Sequence, residues 1–131
     1  MNKTADLKGR RILVVEDEFL IASNVVETIE DCGAVAVGPC PDVDTARRML
    51  AEDGQGVDAA ILDLNLKRGG SALELAQELA AAGTVLVYHI GYSTSASQEG
   101  LPDGVVATKP VTGDRLMQHV ANALNGVAAS R

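Results

Sequence analysis

Four carboxylates and a lysine stand where apolar runs of the sequence give way to polar segments. The run ILVV ends at Glu16, Asp17 and Glu18, the run AAIL ends at Asp63, and the run VVAT is followed by Lys109. Carboxylates that converge repel each other unless one takes up a proton or a cation binds between them. Their oxygens suit Mg²⁺. A carboxylate, a divalent cation and a lysine together predict phosphoryl transfer, with Asp63 as the attacking group.

The segments around these residues alternate between strand-like and helix-like patterns. Short apolar runs rich in β-branched residues predict five strands, in RRILVV, AVAVG, DAAILD, TVLVYHI and VVAT. Apolar residues at helical spacing predict helices in EFLIASNVVETIEDCG, DTARRMLAED, SALELAQELAAAG and GDRLMQHVANALNG. The segment STSASQEGLPDG allows at most a short helix before Pro102. A repeated β-α order predicts an α/β fold with a parallel sheet, in which ligands bind beyond the carboxyl ends of the strands.

Polar residues mark the beginnings of the predicted helices. Asp42 or Asp44 is expected to cap the second helix. Ser71 and Glu74 form the S-x-x-E pattern of a capping box at the third. Thr112 is expected to cap the last. An acidic residue after a strand often only caps the next helix, but charge at three strand ends together favours a functional site.

Composition limits the classes of function. The 131 residues predict a single domain, 1–131, with a core at about 10–125. The net charge of -7 argues against nucleic acid as a partner, and no segment approaches the roughly 20 apolar residues of a membrane span. The polar N-terminus has no signal-peptide pattern, so a cytoplasmic protein is expected. Cys32 and Cys40 are not spaced as a metal clip, and both are expected to be small buried hydrophobes.

The motifs ILVVEDE, ILDLNL and TKP together resemble those of the response-regulator receiver domain of two-component signalling. The resemblance covers roughly residues 10 to 125 and depends on the combination of an acidic pair, an aspartate and a Lys-Pro pair after three different strands. It implies a flavodoxin-like (βα)5 three-layer sandwich whose five-stranded parallel sheet has the order 2-1-3-4-5. It also implies a receiver of the single-domain type.

The resemblance gives each residue of the site a role. Asp63 is similar to the phospho-accepting aspartate, and Lys109 to the lysine that pairs with the phosphoryl group. Glu16 and Asp17 resemble the acidic pair that binds Mg²⁺ together with Asp63. Asn65 occupies the position whose backbone carbonyl completes the metal site.

The sequence departs from the receiver pattern at the two positions of the usual conformational switch. Receivers end the fourth strand on Ser or Thr and carry an aromatic residue three positions before the lysine. Those positions are Ile90 and Val106 here, so both parts of the switch are expected to be atypical. The nearby Ser93, Thr94 and Ser95 are candidates to supply the missing hydroxyl.

Other positions carry secondary expectations. Pro110 resembles the proline that follows the lysine through a cis peptide bond. Phe19 and Leu20 correspond to the end of the first helix on which the phospho-donor protein docks in receivers. His89 is expected to be a hydrogen-bonded histidine at a strand end, and His119 to face solvent.

Two functions remain open, and neither is an enzyme. The first is a stand-alone receiver that accepts phosphate on Asp63 from a histidine kinase or a histidine phosphotransfer protein and acts through contacts with a downstream protein or by phosphorelay. The second is a receiver-like interaction module with an atypical or phosphorylation-independent switch, which Ile90 and Val106 favour. A haloacid-dehalogenase-type phosphatase would need an acid where Asn65 stands. A dinucleotide enzyme would need glycines where Glu-Asp-Glu stands.

Overall fold

Five parallel strands and four helices make up the described part of the chain. The computed structural model describes residues 7–64, 71–91 and 100–129, with side chains up to 126. In chain order the elements are β1 (Arg11–Val15), α1 (Phe19–Asp31), β2 (Val35–Cys40), α2 (Val43–Asp53), β3 (Ala59–Asp63), α3 (Ala72–Ala81), β4 (Val85–Ile90), β5 (Val105–Thr108) and α4 (Gly113–Ala129). The sheet has the order β2-β1-β3-β4-β5, and all neighbouring strands are parallel. The predicted flavodoxin-like order is confirmed.

The sheet separates two hydrophobic cores. Ile12 and Val14 of β1 face the core that contains α1 and α4. Leu13 and Val15 face the core that contains α2 and α3. The strand is therefore apolar on both faces, which explains why it reads as an uninterrupted hydrophobic run.

The predicted polar residues cap the helices. The Oδ1 atom of Asp42 accepts a hydrogen bond from the backbone N–H three residues later at 2.7 Å, while Asp44 lies inside the first turn of α2. Ser71 accepts the equivalent bond at the start of α3, and Thr112 accepts it at the start of α4. These bonds satisfy N–H groups that a helix leaves without partners in its first turn.

The edge strand β5 is held against β4 by Tyr88 and Gly104. The hydroxyl of Tyr88 donates a hydrogen bond of 2.6 Å to the backbone oxygen of Pro102. A side chain at Gly104 would begin 2.7 Å from the backbone oxygen of Leu86, so only glycine allows this close approach. The contact fixes where β5 begins and therefore where Lys109, just after its end, is placed.

Two details differ from the sequence-based expectation. The last helix continues past Gly126, where it was predicted to end, to Ala129. Cys40 is buried as predicted, whereas Cys32 is only half-buried because it caps the C-terminal end of α1, at the rim of the core.

Several predicted features lie outside the described residues. These include most of the segment between Gly91 and Gly100, where at most a short helix was predicted. Among the helices of the described residues, none has both the length and the apolar character needed to span a bilayer.

Candidate functional site

Three carboxylates meet where β1 and β3 end. Asp63 is the last residue of β3 and is 2% exposed, and Glu16, which directly follows β1, is 4% exposed. The register pairs Val15 with Leu62. The residues that follow them, Glu16 and Asp63, therefore lie side by side. One oxygen from each of Glu16, Asp17 and Asp63 lies within 4.8 Å of the other two. The structure thus brings together the three acidic residues identified from the sequence.

Lys109 reaches this cluster from the end of β5. Its Nζ atom lies 3.1 Å from Oε1 of Glu16 and 3.5 Å from Oδ2 of Asp63. Its backbone N–H donates to the carbonyl oxygen of Ile90 at 2.6 Å, which continues the pairing of β4 and β5 by one residue. The Lys109–Pro110 peptide bond is cis, the geometry expected from the sequence.

Burial and mutual repulsion change the acid-base properties of the cluster. Burial, followed by the negative charge of Asp63, raises the pKa of Glu16 from 4.5 to about 7. Burial alone would lower the pKa of Lys109, but its ion pair with Glu16 and the charge of Asp63 outweigh that effect and raise it. The lysine therefore stays positively charged, while its single charge does not offset those of three neighbouring carboxylates.

The donor set fits a hard divalent cation such as Mg²⁺. Glu16, Asp17 and Asp63 supply carboxylate oxygens, the ligand type that this ion prefers. The Oε1 atom of Glu16 is buried and has no hydrogen-bond donor of good geometry, so it retains the capacity to bind a cation. Asn65, whose backbone carbonyl was the fourth predicted ligand, lies outside the described residues.

His89 also belongs to this site, whereas the sequence favoured a hydrogen-bonded histidine at a strand end. It is 4% exposed, lies on β4 opposite Asp63, and places Nδ1 3.8 Å from Oε1 of Glu16. Burial, followed by the positive charge of Lys109, lowers its pKa to about 4. The imidazole is therefore neutral at physiological pH. The sequence feature that could have indicated this position is a histidine within the largely apolar segment TVLVYHI.

The two atypical switch positions have different surroundings, one in the core and one at the surface. Ile90 ends β4 and is buried in the core on the side of α2 and α3. Val106 on β5 is exposed. Neither side chain offers a hydroxyl or an aromatic ring. The candidate substitutes Ser93, Thr94 and Ser95 lie outside the described residues.

The first turn of α1 presents two large apolar side chains beside the acidic cluster. Phe19 is 76% exposed and Leu20 is 79% exposed. On the other side of α1, a cavity of about 420 Å³ lies between α1 and α4, with His89 and Lys109 among its lining residues. His119 on α4 is half-buried, not solvent-facing as predicted, because it adjoins the buried face of the helix.

Comparisons with known proteins agree with this fold. No protein-family model and no curated protein matches the chain. A response regulator receiver protein from Sinorhizobium medicae WSM419 superposes with a TM-score of 0.75 at 20% identity, over 91% of this chain and 97% of that one. SdrG from Sphingomonas melonis Fr1 is 36% identical, with a TM-score of 0.67 over 92% of this chain and 97% of that one.

A longer protein shares the fold as well. The response regulator PhyR from Brucella abortus superposes with a TM-score of 0.77 at 21% identity, over 98% of this chain and 53% of that one. This chain therefore corresponds to about half the length of that PhyR. The sheet order, the near-complete overlap with a receiver protein and the 36% identity with SdrG place the chain in the family of response-regulator receiver domains.

Proposed function

We propose that this receiver domain accepts a phosphoryl group on Asp63 from a phosphohistidine of a partner protein, in the presence of Mg²⁺. The observation that carries the proposal is the position of the Asp63 carboxylate, at the end of β3 within reach of Lys109 and two further carboxylates. A carboxylate beside a lysine, with two acidic neighbours that could hold a cation, is suited to act as a nucleophile toward phosphorus.

The reaction would proceed by attack of an Asp63 oxygen on phosphorus. An O–P bond forms as the P–N bond to the donor imidazole breaks, and the imidazole leaves with the bonding electron pair. The Nζ atom of Lys109, now 3.5 Å from Asp63, turns to pair with a phosphoryl oxygen. Glu16 and Asp17 would hold Mg²⁺, which supplies positive charge to the transferring oxygens.

The surface formed by Phe19 and Leu20 is the proposed docking site for the donor protein, a histidine kinase or a histidine phosphotransfer protein. These two side chains are exposed, apolar and next to the acidic cluster. A donor that packs its own apolar residues there would bring its phosphohistidine to Asp63. The phosphorylated domain would then act on a downstream protein by contact or pass its phosphate along a relay.

Chemical trapping of the acyl phosphate tests the proposal. After incubation with Mg²⁺ and a small-molecule phosphodonor, reduction with borohydride followed by peptide mapping should mark the peptide that contains Asp63. The variant Lys109→Gln should accumulate less product, since a neutral amide cannot offset phosphoryl charge. A mark on a different carboxylate would overturn the assignment of Asp63.

A second candidate is an interaction module whose signalling does not follow the usual phosphorylation switch. The buried Ile90 favours it, because a phosphoryl oxygen on Asp63 would lack the hydroxyl partner that receivers normally supply there. A missing hydrogen bond to a charged group is worth roughly 1.5–3 kcal/mol. Signalling in cells that survives Asp63→Asn would support this candidate, whereas loss of signalling would support phosphoryl transfer.

A further inference from the structure

One buried carboxylate oxygen in the acidic cluster accepts no hydrogen bond. The Oε2 atom of Glu16 accepts from the backbone N–H of Glu18 at 3.2 Å. The Oε1 atom is buried and receives no hydrogen bond of good geometry. Two side-chain nitrogens lie near it, Nζ of Lys109 at 3.1 Å and Nδ1 of His89 at 3.8 Å.

The proposed reaction removes the nearer of these two groups. When Asp63 carries a phosphoryl group, Lys109 pairs with that group and leaves Glu16. A buried carboxylate oxygen left without a partner is costly. The carboxylate of Glu16 would then be oriented only by the backbone N–H of Glu18 and by the cation itself, unless another donor held Oε1. Among the described residues, His89 then offers a nitrogen that already lies 3.8 Å from this oxygen.

The imidazole of His89 is suited to this task by its position. β4 pairs with β3 at His89 and Asp63, so the sheet fixes the backbone of the histidine beside the site. The distance of 3.8 Å must shorten to about 3 Å for a hydrogen bond, a movement within the range of small side-chain rotations.

We propose that His89 is a positioning residue for the cation site: with its proton on Nδ1, it donates a hydrogen bond to Oε1 of Glu16 and keeps that carboxylate directed at Mg²⁺ after Lys109 has turned to the phosphoryl group. The inference rests on the proposed function, because it assumes that Glu16 binds Mg²⁺. Metal ligands are commonly oriented by such outer hydrogen bonds, and loss of one typically weakens metal affinity by roughly 10–100-fold.

Two substitutions distinguish hydrogen-bond donation by His89 from a packing role. His89→Leu keeps a side chain of similar bulk without a donor, and the adjoining cavity leaves room for its different shape. His89→Asn keeps an N–H near the position of Nδ1. The matched control is His119→Leu, which removes the other histidine of the chain at a half-buried position on α4.

Calorimetric titration with Mg²⁺ in the presence of a phosphomimetic anion measures the effect directly. Affinity should fall about tenfold or more in His89→Leu, stay within about threefold of the wild type in His89→Asn, and remain unchanged in His119→Leu. The unfolding temperature in a chelator should not fall in His89→Leu, which would show that the loss is not one of folding. In wild-type protein, nitrogen chemical shifts of His89 should place its proton on Nδ1.

The outcomes distinguish the inference from the function on which it rests. Equal affinity of wild type and His89→Leu would overturn the role of His89 while leaving the Mg²⁺ site intact. Equal losses in His89→Leu and His89→Asn would also overturn it, because the donor would then be irrelevant. A wild-type protein that binds no Mg²⁺ would overturn the proposed cation site itself, and the inference with it.

Discussion

Replacing Glu16 by glutamine is expected to stabilise the metal-free protein at neutral and alkaline pH. Glu16 is buried next to Asp63, and burial followed by that negative charge raises its pKa from 4.5 to about 7. Glutamine has nearly the same shape and can still accept the backbone N–H of Glu18. It carries no charge, so it removes the repulsion while keeping the local packing.

The size and the pH dependence of the effect follow from the same pKa. A difference of one pKa unit corresponds to about 1.4 kcal/mol, so the charged Glu16 carboxylate destabilises the fold by up to about 3 kcal/mol. Since the pKa is raised by folding, the benefit of the protonated form is complete below pH 4.5 and is lost as the pH rises through about 7. The advantage of Glu16→Gln should therefore be near zero at pH 4.5 and reach roughly 1 to 3 kcal/mol at pH 8.

Urea unfolding followed by circular dichroism, in a chelator at pH 5 and pH 8, measures this difference. Glu27→Gln, at an exposed position of α1, is the matched control and should change stability little at either pH. Mg²⁺ at 100 times its Kd should stabilise the wild type by about 2.7 kcal/mol, but Glu16→Gln by less. Two results would refute the reasoning. One is a Glu16→Gln protein that is less stable than the wild type at pH 8, and the other is a gain in stability over the wild type that is the same at pH 5 and pH 8.

Three further predictions concern residues around the site. Alkylation of the native protein should modify the half-buried Cys32 before Cys40, because Cys40 is buried and burial, with the charge of a nearby aspartate, raises its pKa to about 11; peptide mass mapping that found Cys40 reacting first would contradict this. Tyr88→Phe should lower the free energy of unfolding by about 0.5–1.5 kcal/mol in urea titration, since the part-buried hydrogen bond to the oxygen of Pro102 is lost, and an unchanged midpoint would show that the bond contributes nothing. Phe19→Ala should slow phosphoryl transfer from the cognate donor protein but not labelling by a small-molecule phosphodonor, and transfer at the wild-type rate would exclude Phe19 from the docking surface.

The position of the acidic cluster could be predicted because a parallel sheet brings the carboxyl ends of its strands to one edge. The apolar runs before Glu16, Asp63 and Lys109 identified three strand ends, and the chain order placed them on the same side. No knowledge of side-chain contacts was needed for that step. The sheet order, by contrast, was implied only by the resemblance to receivers.

The contact between His89 and Glu16 could not be predicted in this way. It depends on the register of β4 against β3, which the sequence does not state, and a slip of one residue would turn His89 to the opposite face. The choice of Asp42 over Asp44 as a helix cap was equally open, because both stand within one turn of the helix start.

The sequence pattern also could not predict the degree of burial of residues at the edge of a helical face. Helical spacing identifies a buried face but not how far it extends, which is why Cys32 and His119 are both half-buried. Gly126 was read as a helix end, yet α4 continues through it. A glycine within a helix reduces stability by only about 1 kcal/mol relative to alanine, so it does not by itself end one.

Intact-mass measurement after incubation with a small-molecule phosphodonor tests the central claim most directly. Wild-type protein and Asp63→Asn would be compared with Mg²⁺ and with a chelator. One phosphoryl adduct is expected on the wild type with Mg²⁺, and none on Asp63→Asn or in the chelator. An equal adduct on Asp63→Asn would contradict the claim that Asp63 is the phosphoryl acceptor.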